Sequence, residues 1–170
     1  MIEVEGYLLD TSIASPAWYA GHKRHKEVRE RLEGLGDDTV FVSDISKAEV
    51  EYGLNLVTMD AQKHDGIRSA MGRYKVVPID HHTAQTYGEI RATLFKAHAP
   101  RDRRNKISSK YVEDLRERTS GKELGIQEND LWIVSVAVRY NLLFLTADGR
   151  GGMRKIIEAA NYAHRTEYWN

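Results

Sequence analysis

The most continuous apolar pattern in the chain lies in its last third. Leu131, Val134 and Val138, with Ile133 and Ala137 between them, recur at three- and four-residue spacing, which predicts a helix buried on most sides and starting near Asp130. Asn129 suits its N-cap. Tyr140-Asn141 suits its end, because Asn tolerates the left-handed backbone that closes helices. Residues 142–145 follow as a short unbroken apolar run, the pattern of a central strand in a parallel sheet, and this strand ends where Thr146 and Asp148 stand.

The same alternation of strand and helix runs through the earlier chain. Tyr7-Leu8-Leu9 reads as a strand that stops at Asp10-Thr11-Ser12, where small hydroxyl side chains suit a tight strand-to-helix turn. Residues 16–19 and 26–35 read as helical pieces, the second ended by Gly34 and Gly36. The β-branched and aromatic run 39–43 predicts a second strand feeding a third helix from Asp44 to Gly53. A further helix over 59–73 contains Gly66 and Gly72. Residues 75–79 predict a third strand that Pro78 confines to an edge or to its own end. Residues 83–97 are amphipathic, with Ala84, Tyr87, Ile90, Leu94 and Ala97 on one face. After Asp148 and a glycine-rich turn, residues 153–160 predict a helix, and the tail 163–169 an edge strand. Four or five strands alternating with helices predict an α/β fold, a three-layer sandwich with a mostly parallel sheet.

Composition narrows the class. A chain of 170 residues with 41% hydrophobic and 29% charged residues is expected to be one domain, residues 1–170, with its own core. No apolar run approaches the roughly 20 residues needed to span a bilayer, and no basic segment leads into an apolar one at the N-terminus, so a cytoplasmic protein is expected. With no cysteine, disulfides, thiolate metal sites and a cysteine nucleophile are excluded. Twenty-five basic and 25 acidic residues cancel, so any nucleic-acid contact must be met by a local patch. One candidate exists in a polar surface insertion at about 100–127, where Arg101, Arg103, Arg104, Lys106 and Lys110 oppose the single acid Asp102.

The candidate chemistry is in acids that this topology collects. Asp10 and Asp148 fall at strand ends, Asp130 at a helix start and Glu49 in the early turns of the helix after the second strand. In open α/β sheets ligands bind beyond the carboxyl ends of the strands. Four carboxylates there repel one another, which raises at least one pKa unless a cation neutralises them. All-oxygen ligation selects a hard divalent ion such as Mg²⁺ or Mn²⁺, and that suits phosphodiester hydrolysis.

Four segments carry a family resemblance: Leu8-Leu9-Asp10-Thr11-Ser12, the run from Ser43 to Gly53, the run from Asn129 to Ala137, and Leu145-Thr146-Ala147-Asp148. In this order and spacing they resemble the motifs of PIN-domain ribonucleases, specifically the VapC-type toxins of toxin–antitoxin pairs, over roughly residues 7–160. The resemblance implies a PIN-like α/β/α fold and a Mg²⁺- or Mn²⁺-dependent endoribonuclease leaving 5′-phosphate and 3′-hydroxyl ends. It also implies a cognate antitoxin and a homodimer. Carried over, Asp10, Glu49, Asp130 and Asp148 are the catalytic acids, Asp10, Asp130 and Asp148 the metal ligands, and Thr146 and Ser12 supporting hydroxyls. Arg101, Arg103, Arg104 and Lys106 are the candidate RNA contacts. Two features depart from the family pattern, the long basic segment and Gly149 to Gly152 in place of an aromatic residue after the last acid.

Each residue also has a local reading. Asp10 suits an N-cap, Glu49 the far member of a capping box with Ser46, Asp130 the positive end of its helix, and Asp148 a turn. Asp44, Glu51 and Glu128 are neighbouring acids. His81 and His82, adjacent in sequence, cannot share a helix face as a metal pair. A second function class follows from these readings, a catalytically inactive PIN-like scaffold that binds RNA or protein.

Overall fold

The computed structural model describes residues 6–36, 39–58 and 60–170. In chain order, strand β1 (Tyr7–Leu9) leads into helices α1 (Thr11–Trp18) and α2 (His25–Glu33), β2 (Val40–Ser43) into α3 (Asp44–Leu56) and α4 (Ala61–Met71), and β3 (Lys75–Val77) into α5 (His81–His98). Beyond residues 99–127 come α6 (Glu128–Tyr140), β4 (Leu143–Thr146), α7 (Gly151–Ala159) and β5 (Thr166–Tyr168). The strands form one five-stranded sheet in the order β3-β2-β1-β4-β5, parallel throughout. From the central β1 the chain builds outward first on one side and then on the other, so the order reverses between β1 and β4. A crevice opens beyond the strand ends at such a switch point.

Successive strand residues point to opposite faces, and this places the helices in two layers. Leu8 and Phe144 join a core with Ile90 and Leu94 of α5, Leu131 and Val134 of α6 and Ile156 of α7. Their neighbours Leu9 and Leu145, with Val42, face the other way against Ile13 and Trp18 of α1, Val28 and Leu32 of α2 and Ile67 of α4. Strands buried on both faces have no polar face to display, which is why β1 and β4 read as unbroken apolar runs.

The predicted boundaries differ from the observed ones where a local signal had a competitor. Helix α1 begins at Thr11, with Asp10 as its N-cap, so Pro16 lies inside the helix. Strand β3 stops one residue before Pro78 and forms the sheet edge. The predicted helix over 59–73 starts on Met59, outside the described residues; α4 itself is capped by Asp60. On α5 the buried positions are Thr83, Ile90 and Leu94, whereas Ala84 faces solvent. Helix α6 ends on Asn141 in the left-handed region, as expected, but it starts at Glu128 with Gln127 as N-cap, so Asn129 is not the cap.

Residues 99–127 pack in part against the α5–α7 layer: Val112, Leu115 and Ile126 are at most 1% exposed. Gly152 explains the small residues after Asp148. A Cβ there would stand 2.1 Å from the carbonyl oxygen of Gly125, so only glycine lets this segment pass against the start of α7. Among the described residues no helix is long and apolar enough to cross a membrane.

Candidate active site

Asp10 sits at the end of β1, 3% exposed, under the switch point between β1 and β4. Its carboxylate accepts three hydrogen bonds. Thr11 N donates at 2.8 Å to Oδ1, while Ser12 Oγ at 2.5 Å and Thr146 Oγ1 at 2.8 Å donate to Oδ2. The two hydroxyls also brace the β4 end: Ser12 Oγ accepts from Ala147 N at 2.9 Å and Thr146 Oγ1 from Asp148 N at 3.0 Å. Ser12 and Thr146, residues 134 positions apart, thereby lock the first acid to the loop that carries the last. Asp148 in turn accepts from Arg150 N at 3.0 Å, so its turn role and its place at the site coexist.

Glu49 enters from the side, on the interior of α3, whose N-cap is Ser43. The Ser46 capping-box reading therefore falls away, because Ser46 is already helical and its own N–H is capped by Ser43 Oγ at 3.1 Å. Each Glu49 oxygen has one donor: Thr11 Oγ1 bonds Oε2, and Asn129 Nδ2 donates to Oε1 at 2.9 Å. The sequence offers Thr11 as a turn residue and Asn129 as an N-cap, and neither as a holder of Glu49. Their only signal is that each stands next to an acid of the site, Thr11 after Asp10 and Asn129 before Asp130.

Electrostatics tie the four acids together. Asp10 is pushed above the usual carboxylate range by burial, against the pull of Ser12, Thr146 and Thr11, with the Glu49 charge adding to the rise. Asp130, in the first turn of α6, is pushed up to about 7, first by burial and then by the charges of Asp10, Glu49 and Asp148. The repulsion expected from the sequence is thus present and falls most heavily on Asp130.

Among the described residues no three carboxylate, imidazole or thiolate groups form a ready-made metal cage. The donor set still fits a hard divalent cation. All candidate ligands are oxygens, their mutual repulsion is what a cation relieves, and Mg²⁺ keeps several waters rather than requiring a full protein cage.

The neighbouring acids have other partners. Glu51 pairs with Arg68 at 2.9 Å and Glu128 with Arg91 at 2.9 Å, while Asp44 is exposed in the first turn of α3. The His81 and His82 rings lie with centroids 3.8 Å apart and planes tilted by 40°, and among the described residues they belong to no metal-binding group. Trp18 is buried at 3% exposure and Trp132 stacks on Tyr87 at 3.9 Å. Arg101, Arg103, Arg104 and Lys106 are exposed and lie in the bridge-closed turn that joins Arg101 to Ile107.

Comparison with known proteins agrees with this topology. The family model described as PIN domain matches residues 7–157. The fold is shared with VapBC2 from Rickettsia felis bound to a promoter DNA fragment, at a TM-score of 0.64 and 22% identity, covering 96% of this chain and 98% of that one. It is shared with DNA-bound VapBC from Salmonella typhimurium at 0.66 and 18% identity, covering 97% and 98%. VapBC-1 from nontypeable Haemophilus influenzae matches at 0.64 and 22% identity, covering 96% and 97%. No curated protein matches the chain in sequence.

Proposed function

The chain belongs to the PIN domain family, and we propose that it is a Mg²⁺- or Mn²⁺-dependent endoribonuclease, the toxin of a toxin–antitoxin pair. The observation that carries this is the convergence of Asp10, Glu49, Asp130 and Asp148, with the carboxyl of Asp130 raised to about 7 by its burial and by the other three. Structural neighbours described as VapBC complexes support an antitoxin partner; an inhibitory role for that partner and a homodimeric toxin belong to the same proposal. The working compartment under this reading is the cytoplasm.

Asp10, Asp130 and Asp148 would hold the ion, which when bound supplies Lewis acidity toward water and phosphate oxygens. The chain's own residues set the geometry. Ser12 and Thr146 donate to the Asp10 carboxylate, which favours its ionised form against the effect of burial and fixes its rotamer. Glu49, restrained at both oxygens by Thr11 and Asn129, is suited to orient a water for in-line attack on the phosphodiester. Hydrolysis of this kind leaves a 5′-phosphate and a 3′-hydroxyl.

The test is incubation of purified protein with structured RNA and Mg²⁺ or Mn²⁺, with chelator controls. Cleavage that chelation stops and Asp10→Asn abolishes supports the reading. Cleavage indifferent to both overturns it, and RNA binding without turnover supports an inactive PIN-like scaffold instead.

A further inference from the structure

Helices α5 and α6 run antiparallel. Asp80, capping α5, pairs with Arg139 near the end of α6, whereas Arg91 pairs with Glu128 at the start of α6. From Arg91 to His98 helix α5 runs on for about 10 Å past the α6 N-terminus, at 1.5 Å per residue. The segment that follows therefore projects at the same end of the molecule as Asp130.

That segment is rigidly built. Asp102 Oδ1 accepts from Arg104 N at 2.8 Å and Lys106 N at 2.9 Å, Asp102 N donates to Lys106 O at 2.8 Å, and Asn105 closes the turn with φ 60°. Ser108 N and Oγ both donate to Pro100 O, at 3.0 and 3.1 Å. The returning segment is fastened at the start of α6. Arg91, which pairs with Glu128, donates from Nη2 to Lys110 O at 2.5 Å, and Glu113 accepts from Glu128 N at 3.3 Å. Glu128 and Asp130 stand two residues apart on different faces of α6, so this fastening fixes the segment at the end of α6 that carries Asp130.

Of the basic side chains of this arm, Arg101 donates to Asn105 O at 2.9 Å, and the others have no partner within the described fold. Arg103, Arg104, Lys106 and Lys110 are exposed and form no ion pair among the described residues, and the one acid, Asp102, is occupied by backbone donors. Tyr111, next to Lys110, is 68% exposed, the most exposed large apolar side chain among the described residues. Cations interleaved with an aromatic face are what a single nucleic-acid strand requires: the charges follow its phosphates and the ring stacks on an unpaired base. A duplex offers no free base to such a ring.

We propose that residues 100–111 form an RNA-binding arm, in which Arg103, Arg104, Lys106 and Lys110 contact phosphates of a single-stranded stretch flanking the scissile bond and Tyr111 stacks on one of its bases. This rests on the ribonuclease reading above. The arm sets which RNA segments reach the acids, and it supplies locally the positive charge that the neutral whole chain lacks.

The experiment uses the full chain carrying Asp10→Asn, with a labelled unstructured RNA and fluorescence anisotropy across a salt titration. Tyr111→Ala is expected to weaken binding by about fivefold or more, while Tyr111→Phe keeps the parent affinity because the ring is retained. The triple change Arg103→Gln, Arg104→Gln, Lys106→Gln should make the slope of log K against log salt shallower by about 2. In the otherwise wild-type chain the same arm changes should raise KM and leave kcat within about twofold. Parent-like affinity, salt slope and KM in the arm variants of a chain that cleaves RNA overturn the arm and leave the ribonuclease reading intact. Equal losses for Tyr111→Phe and Tyr111→Ala overturn the stacking role. A parent chain that neither binds nor cleaves RNA overturns both readings together.

Discussion

The side-chain amide of Asn129 donates to Oε1 of Glu49 across 2.9 Å, joining the first turn of α6 to the interior of α3. Among the described residues it is the only side-chain hydrogen bond between those two acid-bearing helices, and it holds the Glu49 oxygen that Thr11 does not. Replacing Asn129 by Ala should lower the cleavage rate by about tenfold, the scale of losses seen when a residue supporting a site is removed. Stability should change by no more than about 0.5 kcal/mol, because the position is exposed. Initial rates beside thermal melts of the same variant check both parts.

Thr146 serves two acids at once, donating to Asp10 and accepting from Asp148 N. Thr146→Val keeps the shape and leaves both partners unmatched, a loss of about 1–3 kcal/mol. The lost hydrogen bond is one that favours ionised Asp10, so its pKa rises further, and the acid limb of the pH–rate profile should move to higher pH. Ser12→Ala should shift the profile in the same direction. Profiles that superimpose on the parent's would refute this role.

Asp130 predicts an inverse pH dependence of stability. Its folded pKa, about 7, lies above its ordinary value of 3.8. The folded state therefore holds a proton that the unfolded state has lost between those values. The stabilisation is full below pH 4 and disappears as pH rises toward 7, on the order of 4 kcal/mol. Asp130→Asn should abolish this component and stabilise the metal-free chain at neutral pH. Adding Mn²⁺ should stabilise the wild type at neutral pH and not the variant. Denaturant melts at several pH values, with and without the ion, measure each arm.

Gly152→Ala reverses the usual sign of a helical Gly-to-Ala change. In an open helix alanine is favoured by about 1 kcal/mol. Here the new Cβ would stand 2.1 Å from a backbone oxygen that cannot swing aside as a side chain would. The segment around Gly125 must move, and a net destabilisation of about 1–3 kcal/mol is expected, read as a lower melting temperature. Gly53→Ala, with open space around it, is the control and should be neutral or stabilising.

Much of the fold was legible because its signals are local. The apolar runs of β1 and β4, the Pro78 boundary, the Asn141 stop and the order of the four acidic motifs each depend on neighbours a few residues away. Asn129 was misread for the same reason. Its residue type suits a cap, but Gln127 occupies that position, and the partner of its amide lies 80 residues earlier. No short-range pattern encodes such a pairing.

By itself the sequence determined the strand–helix alternation and the four carboxylates, because periodicity and motif order follow from side-chain chemistry along the chain. Tertiary structure alone decided how those acids are held and how strongly they disturb one another. That depends on the sheet order reversing between β1 and β4, which sets Ser12 against Thr146 and Glu49 against Asn129. Burial and through-space repulsion at Asp130 arise only once distant segments share one crevice.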